Sequence, residues 1–253
     1  MGHLSLICLV VYTIASGVVG VRLLQRARRS RGLPELLAGT SYVAAPALGY
    51  PLAVVASQLS NRAIAVPMHT LGEVLLVFGC CCFLIFTMKV FRPGARWAMS
   101  AAWLGSTVLV GSGIGIAHAF IAYSDAAEMN AHARLPLSGM VGVLALSYVW
   151  TALEGLRYYR MMRKRLALGL ADAVVTNRFL LWTLSGLTSV AWISYSALIL
   201  AAGENLARNP INVSVTCAGG IANTVFLLLI FMPPAAYTRW VERSARAARL
   251  ATA

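Results

Sequence analysis

The sequence predicts an all-α, polytopic membrane protein whose chain forms a bundle of seven transmembrane helices. Three observations predict it: an apolar composition, seven long apolar stretches, and basic residues that gather on one side of those stretches. Hydrophobic residues make up 59% of the 253 residues and charged residues 11%, and the mean hydropathy is +0.75. Soluble domains carry about 25% charged residues, so we expect lipid rather than water to surround most of this chain.

Seven apolar stretches are long enough to cross a bilayer, since about 20 helical residues span its hydrocarbon core. These predicted helices 1 to 7 are 4–23, 36–57, 67–90, 97–122, 136–158, 178–201 and 212–232. They predict a transmembrane domain over 1–234 and a basic amphipathic cytosolic tail over 235–253. No stretch remains for a separate kinase, nucleotide-binding or DNA-binding domain, so any signal is expected to pass through a cytosolic or membrane protein partner.

Basic residues are divided very unequally between the two sides of the predicted helices. Of the 21 Lys and Arg residues, 18 lie at the end where helices 1, 3, 5 and 7 finish, and only Arg62, Arg134 and Arg208 lie at the other. Loops rich in Lys and Arg stay in the cytosol, which predicts a cell-membrane protein with its N-terminus outside and its C-terminus in the cytosol. The net charge of +13 then indicates contact with anionic lipid headgroups rather than with nucleic acid.

The first four helices have recognisable boundaries and two internal features. An Arg-rich run ends helix 1, and the segment 32–35, Gly-Leu-Pro-Glu, opens helix 2. Pro46 and Pro51 inside helix 2 each remove a backbone hydrogen bond, which predicts a kink. Gly111 and Gly115 in helix 4 form a GxxxG spacing, which predicts close packing against another helix.

The last three helices carry similar signals. The segment 169–172, Gly-Leu-Ala-Asp, opens helix 6, and Pro233 follows the end of helix 7. In the tail, Arg239, Arg243 and Arg246 follow one another at intervals of four and three residues, which places them on one face of a helix. This face is expected to lie on anionic lipid headgroups, or alternatively to dock on a partner.

Landmarks in helices 1–3 recur in the same order in helices 5–7. If they mark a duplication, the seven helices form a 3+1+3 parallel repeat, a plan that often places a binding site between the two halves. Alternatively, they are the ordinary start and stop signals of membrane helices. The offsets are 135 residues for Arg22 and Arg157, 137 for Gly32 and Gly169, and 140 for Phe91 and Phe231.

This 3+1+3 layout resembles that of SWEET sugar transporters and, more distantly, that of microbial rhodopsins. The resemblance covers the whole chain as a layout, and it implies a small-molecule site among the helices. The chain departs from both families in chemistry. Its only lysines, Lys89 and Lys164, lie outside helix 7, where a retinal Schiff base would form, and it lacks the Pro-Gln signature of SWEET proteins.

Polar residues inside an apolar span are costly, so they are candidate functional residues. Glu73 follows His69 by one helical turn on helix 3, and both therefore face the same side. Glu73 lies roughly 10 Å below the outer surface, and four residues of helices 2, 4 and 6 lie at a similar depth. We expect an outward-facing ligand pocket formed by His69, Glu73, His118, Tyr50, Trp192 and Tyr195.

The same residues also fit other roles. Glu73 and His118 alternatively form a pair that holds helices 3 and 4 together. His69, Glu73 and His118 also make a two-histidine, one-carboxylate set of the kind that binds zinc or iron, and the two histidines are candidate haem ligands. The favoured reading has no metal and no cofactor, because the set lacks further ligands and the histidines lie near the outer surface.

A second acid, Glu154, lies in the inner third of helix 5. Arg157 and Tyr158 follow it by three and four residues, which predicts a local ion pair with Arg157. Alternatively, Glu154 and Arg157 couple ligand binding to proton uptake. The cysteines, Cys8, Cys80, Cys81, Cys82 and Cys217, make neither a disulfide framework nor a metal motif, and no catalytic triad is readable, so we do not expect an enzyme.

Three functional hypotheses follow from the sequence. The first is a sensor or receptor that binds a small molecule from the outer side through the Glu73 pocket and has no output domain of its own. The second is a small-solute transporter with alternating access between two triple-helix halves. The third is a structural or assembly subunit of a membrane complex.

Overall fold

The computed structural model describes residues 3–250, and their side chains as far as residue 245. Residues 1 and 2 of the predicted transmembrane domain, residues 251–253 of the predicted tail and the side chain of Arg246 lie outside this description. All regular structure within it is helical, which confirms the all-α prediction. The helices are α1 (His3–Ser30), α2, α3 (Arg62–Phe91), α4 (Arg96–Ala122), α5 (Ala126–Ala167), α6 (Ala173–Ala201), α7 (Pro210–Phe231) and α8 (Ala235–Leu250).

The helix α2 consists of three segments that follow one another without a break: α-helical Leu33–Tyr42, π-helical Val43–Gly49 and α-helical Tyr50–Ala56. Pro46 lies inside the π-helical segment. A proline has no N–H to donate and its ring crowds the preceding turn, and the wider π turn relieves that crowding.

Six helices in the described residues are long and apolar enough to cross a membrane, namely α1, α3, α4, α5, α6 and α7. They coincide with six of the seven predicted stretches. The remaining stretch, 36–57, falls in the segmented helix α2, which is not one of these six.

The seven helices α1 to α7 form a closed ring. Each packs against its neighbours in the chain, and α7 packs against α1. Hydrogen bonds join α1 to α7 at both ends: Ser5 donates to Pro210 O (2.9 Å) at one, and Arg26 donates to Phe231 O (2.5 Å) at the other. We call the end with Arg26 the basic end and the end with Ser5 the far end.

Three glycines bring α2 and α3 into backbone contact. A Cβ on Gly49 would lie 2.5 Å from Leu76 N, and one on Gly72 would lie 2.7 Å from Ala53 N. A Cβ on Gly79 would lie equally close to the N atom of Ala45, at 2.6 Å. A side chain at any of these positions would push the helices apart, so the glycines set how α3 is turned in the ring.

An apolar cluster fills the basic half of the ring. Trp182 of α6 lies at its centre and contacts the rings of Phe86 (5.2 Å between centroids), Phe91 (6.0 Å) and Phe231 (6.0 Å). We call it the aromatic cluster; its buried members are Val19, Leu23, Ala38, Phe83, Phe86, Phe91, Leu181, Trp182, Leu227 and Ile230. The far half of the ring is less completely filled.

The three arginines of the far end each donate to the C-terminal carbonyls of a neighbouring helix. Arg62 caps α4, Arg208 caps α2 and Arg134 caps α6, where the helix dipole is negative and carbonyls lack helical partners. The acceptors are Phe120 O (2.8 Å), Ile121 O (3.1 Å) and Tyr123 O (3.0 Å) for Arg62, Ser57 O (3.1 Å) for Arg208 and Ala201 O (2.9 Å) for Arg134. These exceptions to the charge division therefore have a structural role.

The tail helix α8 is tied to the bundle at the basic end. Asn177 of α6 donates to the Tyr237 hydroxyl (2.5 Å), and Val241 is buried. Trp240, which is 59% exposed, and Arg239 and Arg243 point away from the bundle.

The GxxxG pair of α4 differs from its prediction at one of its two positions. A Cβ on Gly115 would meet Pro136 of α5 at 2.6 Å, whereas a Cβ on Gly111 would have no atom within 4 Å. Of these two glycines, only Gly115 lies against a neighbouring helix in the described structure.

Gly72→Leu is expected to destabilise the protein, because its side chain overlaps the α2 backbone. Overpacking of this kind costs about 1–3 kcal/mol, or about 2–10 °C in the unfolding midpoint. Gly111→Leu is the matched control, since its side chain enters open space. Thermal unfolding in detergent measures both variants. Equal midpoints would contradict the backbone contact between α2 and α3.

Candidate functional site

A cavity of about 240 Å³ lies inside the far half of the ring. It exceeds the volume of about 150 Å³ that admits a benzene molecule in an engineered protein cavity. All seven helices of the ring contribute to its wall. At the far end it reaches Ser57, Asn130 and Asn205, and Asn205 donates to Asn130 Oδ1 (2.7 Å) across that end. Towards the basic end it stops at Phe83 of the aromatic cluster.

Glu73 is the lining residue that has a carboxylate group. It lies beside Gly72, so the contact of that glycine with α2 fixes the face of α3 that turns inward. The residue is only 7% exposed, and its Oε2 atom has no hydrogen-bond partner among the described residues. Neither ion pair in the described structure includes it. Glu73 is therefore a buried acid without a counter-ion among the described residues.

His69 lies one turn before Glu73 on the same wall. Its ring stacks on Phe120 of α4, with 3.9 Å between centroids and 9° between planes. The residue is 7% exposed, and its Nδ1 atom has no hydrogen-bond partner among the described residues. The stacking orients the ring and leaves this nitrogen unpaired.

Trp192 and Tyr50 contribute two further polar atoms to the wall. Trp192 of α6 fits against Gly219 of α7, where any Cβ would overlap the indole ring, and its Nε1 is buried without a partner among the described residues. Tyr50 of α2 meets Tyr12 edge to face, with 6.1 Å between centroids. Its buried hydroxyl approaches Thr216 without a hydrogen bond of normal geometry.

The structure brings together four of the six predicted pocket residues: Tyr50, His69, Glu73 and Trp192. His118 is exposed on α4 and does not line the cavity. Phe120 occupies the inward face instead, since residues two apart on a helix point in nearly opposite directions. Tyr195 is half-buried outside the lining, while Trp192 and Ser196, one turn apart, share the inner face.

The two alternatives that require His118, a Glu73–His118 pair and a metal site, are not formed in the structure. Because His118 faces away from Glu73, the two do not pair across α3 and α4, and His69, Glu73 and His118 do not converge on one point. No group of three His, Cys, Asp or Glu side chains suited to a metal ion occurs within residues 3–245.

Several cavity residues were missed from the sequence. Asn212, Thr216 and Asn223 of α7 line it, and their spacing of four and seven residues, which places them on one helical face, was the signal that could have found them. Asn212 accepts from Ser196 (2.9 Å), and Asn223 accepts from Ser185 (2.6 Å). These amides join α6 to α7, so their hydrogen bonds are largely used within the protein. Tyr12, Tyr42 and Tyr148 also line the wall and carried no sequence signal.

Glu154 pairs with a different arginine from the one predicted. Arg92, directly after α3, donates its Nε to Glu154 Oε1 (2.5 Å), whereas Arg157 is exposed. Near this pair, Tyr158 donates to Phe91 O (3.2 Å). The predicted partner was local in sequence, but the actual one becomes a neighbour only because α3 and α5 end together at the basic end.

The five cysteines are unbridged. Cys8 and Cys217 belong to the same buried cluster as Leu9 and Val54, and Cys80 lines the cavity. Their role in the described structure is packing.

Comparison of the chain with protein families, curated proteins and solved structures finds no match.

Arg92→Gln is expected to destabilise the protein by about 3 kcal/mol or more, because Glu154 stays buried when its partner is lost. Arg157→Gln removes an exposed arginine of the same region and should change stability by no more than about 0.5 kcal/mol. Thermal unfolding in detergent compares them. A larger effect of Arg157→Gln would support the local ion pair instead.

Proposed function

We propose that this chain is a cell-membrane sensor or receptor that binds a small molecule in the cavity of the far half. The observation that carries the proposal is that Glu73, His69 and Trp192 all line one cavity, and that each has a buried polar atom without a partner among the described residues. They come from two helices, α3 and α6, on separate parts of the ring.

The energetics favour a bound molecule. A buried polar group without a partner costs about 1–3 kcal/mol, and a charged one costs more. Three such groups around one cavity would together consume a large part of the net stability of a typical protein. A ligand that supplies complementary groups offsets this cost, and the cavity has the apolar walls and few polar groups typical of small-molecule sites.

The membrane arrangement we propose has seven spans, with α2 as the seventh. Its three segments run continuously from Leu33 to Ala56, and 24 residues at about 1.5 Å each cover the hydrocarbon core. The basic end then faces the cytosol and the far end faces outward, where the cavity would receive its ligand. The tail helix α8 would rest its exposed Trp240, Arg239 and Arg243 on anionic headgroups.

Two features support a receptor. The aromatic cluster fills the ring between the cavity and the basic end of the described structure, which disfavours an open channel. In addition, α6 carries Trp192 in the cavity and Asn177 at the contact with Tyr237 of α8. A ligand that shifts α6 would thereby move the tail helix on the membrane surface, or against a partner protein if the tail docks on one.

A transporter is the second candidate, because matching contacts support the 3+1+3 repeat. Gly20 of α1 lies against α2 as Gly155 of α5 lies against α6. The nearest backbone atoms to an added Cβ are Gly39 O (3.2 Å) and Val43 N (3.1 Å) for Gly20, and Phe179 O (3.2 Å) and Thr183 N (2.9 Å) for Gly155. Gly39 and Phe179 are 140 residues apart, and so are Val43 and Thr183. The same offset separates Phe91 from Phe231.

The ends of α3 and α7 match in the same way. The residue after each helix has nearly the same backbone conformation, and the last carbonyl accepts from the first helix of the other half. The conformations are φ −137°, ψ 54° at Arg92 and φ −136°, ψ 55° at Met232; the donors are Tyr158 of α5 to Phe91 O and Arg26 of α1 to Phe231 O. Two matching halves are what alternating access requires.

The seven-span arrangement predicts opposite locations for the two ends of α2. A reporter fused after residue 31 should report the cytosol, and one fused after residue 59 should report the outside. Fusions after residues 94 and 124 test α4 in the same manner. Alkaline phosphatase, active only outside, and green fluorescent protein, bright only in the cytosol, make the measurement. The same location after residues 31 and 59 would contradict the seventh span.

Filling the cavity should abolish ligand binding. Ala133 of α5 is buried and lines the cavity, so Ala133→Phe places a ring inside it. Ala131→Phe, on the exposed face two residues away, is the matched control. We expect a small molecule bound to the purified protein, detected by native mass spectrometry in lipid nanodiscs, to be lost from Ala133→Phe and retained by Ala131→Phe.

The same preparations separate the remaining hypotheses. A small molecule retained equally by Ala133→Phe and Ala131→Phe, or found on neither variant nor on the wild type, would contradict the proposed site. Flux of the identified ligand across liposomes that contain the protein would favour the transporter. Stoichiometric co-purification of another membrane protein with an unliganded chain would favour an assembly subunit.

A further inference from the structure

The cavity wall has an unequal distribution of charge. Glu73 is the only Asp, Glu, Lys or Arg among the lining residues that the structure describes. The chain as a whole carries 21 Lys and Arg residues and 8 Asp and Glu residues, so a buried acid with no lysine or arginine beside it in the cavity runs against the composition of the chain. The arginines of the far end are Arg62, Arg134 and Arg208, and none of them lines the cavity. Each donates to the carbonyls that end a helix.

Aromatic rings make up much of the remaining wall. They come from six helices, α1 to α6, so rings surround the cavity on several sides. The lining includes Tyr12, Tyr42, Tyr50, Phe83, Phe120, Tyr148 and Trp192. Aromatic faces attract cations, and tryptophan does so most strongly.

We propose that the ligand is an organic cation, an amine or quaternary ammonium compound with an apolar body about the size of one aromatic ring. The inference rests on the proposed function and names the ligand class of that same site. The positive nitrogen pairs with the Glu73 carboxylate, and the apolar body lies among the tyrosine, phenylalanine and tryptophan rings. The pairing supplies the counter-ion that the protein itself does not provide.

Other ligand classes fit the wall less well. An organic anion would meet the Glu73 carboxylate and find no lysine or arginine on the wall. A neutral sugar would need many hydrogen-bonding groups, whereas most of the lining is apolar and the amides of Asn212 and Asn223 already bond to serines. A metal ion would find a single carboxylate rather than a set of ligands.

Three compounds that differ only in their terminal group test the charge. The probes are 3-phenylpropylammonium, 3-phenylpropanol and 3-phenylpropanoate, each titrated against the purified full chain in nanodiscs while the unfolding midpoint is followed. We expect the ammonium compound to stabilise the protein, with a dissociation constant at least about tenfold below that of the alcohol, and the carboxylate compound to have no effect.

Variants locate the effect at the carboxylate. Glu73→Gln, which keeps the shape of the side chain, should remove the preference for the ammonium compound, whereas Glu73→Asp should retain it in part. Trp192→Leu, which removes a ring face without touching the charge, should weaken the ammonium compound more than the alcohol. Size-exclusion chromatography of each variant checks that the bundle is folded, and Glu73→Asp carries the test if Glu73→Gln fails that check.

The outcomes separate the ligand class from the site itself. Equal stabilisation by the ammonium compound and the alcohol, lost in Ala133→Phe but unchanged in Glu73→Gln, would overturn the cationic ligand and leave the cavity as a binding site. Stabilisation by the carboxylate compound alone would overturn it likewise. No response to the ammonium compound at millimolar concentration would also overturn it, and the native mass of a co-purified molecule would then show whether the site stands.

Discussion

The backbone contact between α2 and α3 is the constraint on which the site depends. Gly49, Gly72 and Gly79 let the two helices approach so closely that no side chain fits between them. Since Glu73 follows Gly72 directly, this contact turns its carboxylate towards the inside of the ring. The π-helical segment around Pro46 lies within the same contact, so the irregular part of α2 is packed against α3.

The two halves of the ring serve different purposes. In the basic half, Trp182 and its phenylalanine neighbours pack into a cluster that stabilises the bundle and closes it. In the far half, the helix ends are held by arginine side chains, and the space between the helices remains partly unfilled. Of the seven buried polar atoms without a partner in the described structure, four belong to cavity residues, namely Tyr50, His69, Glu73 and Trp192. The other three belong to Trp150, Glu154 and Arg178, which do not line the cavity.

Much of the architecture was predictable from the sequence, because length and hydropathy report directly on the solvent around each segment. Glu73 and His69 were predictable as cavity residues, since an acid and a histidine one turn apart inside an apolar span share a face. His118 was not, because its direction depends on the rotation of α4, which packing against α3 and α5 decides. The partner of Glu154 was equally hidden, since Arg92 lies 62 residues away along the chain and only the meeting of two helix ends brings it near.

Glu73 and Trp192 are proposed to face a molecule that is not part of the protein. An electron cryo-microscopy map of the full chain, purified from its native membrane and bound to an antibody fragment for size, would test this proposal directly. We predict non-protein density between the Glu73 carboxylate and the Trp192 ring. A map in which protein side chains fill that space, or in which a basic side chain pairs with Glu73, would contradict it.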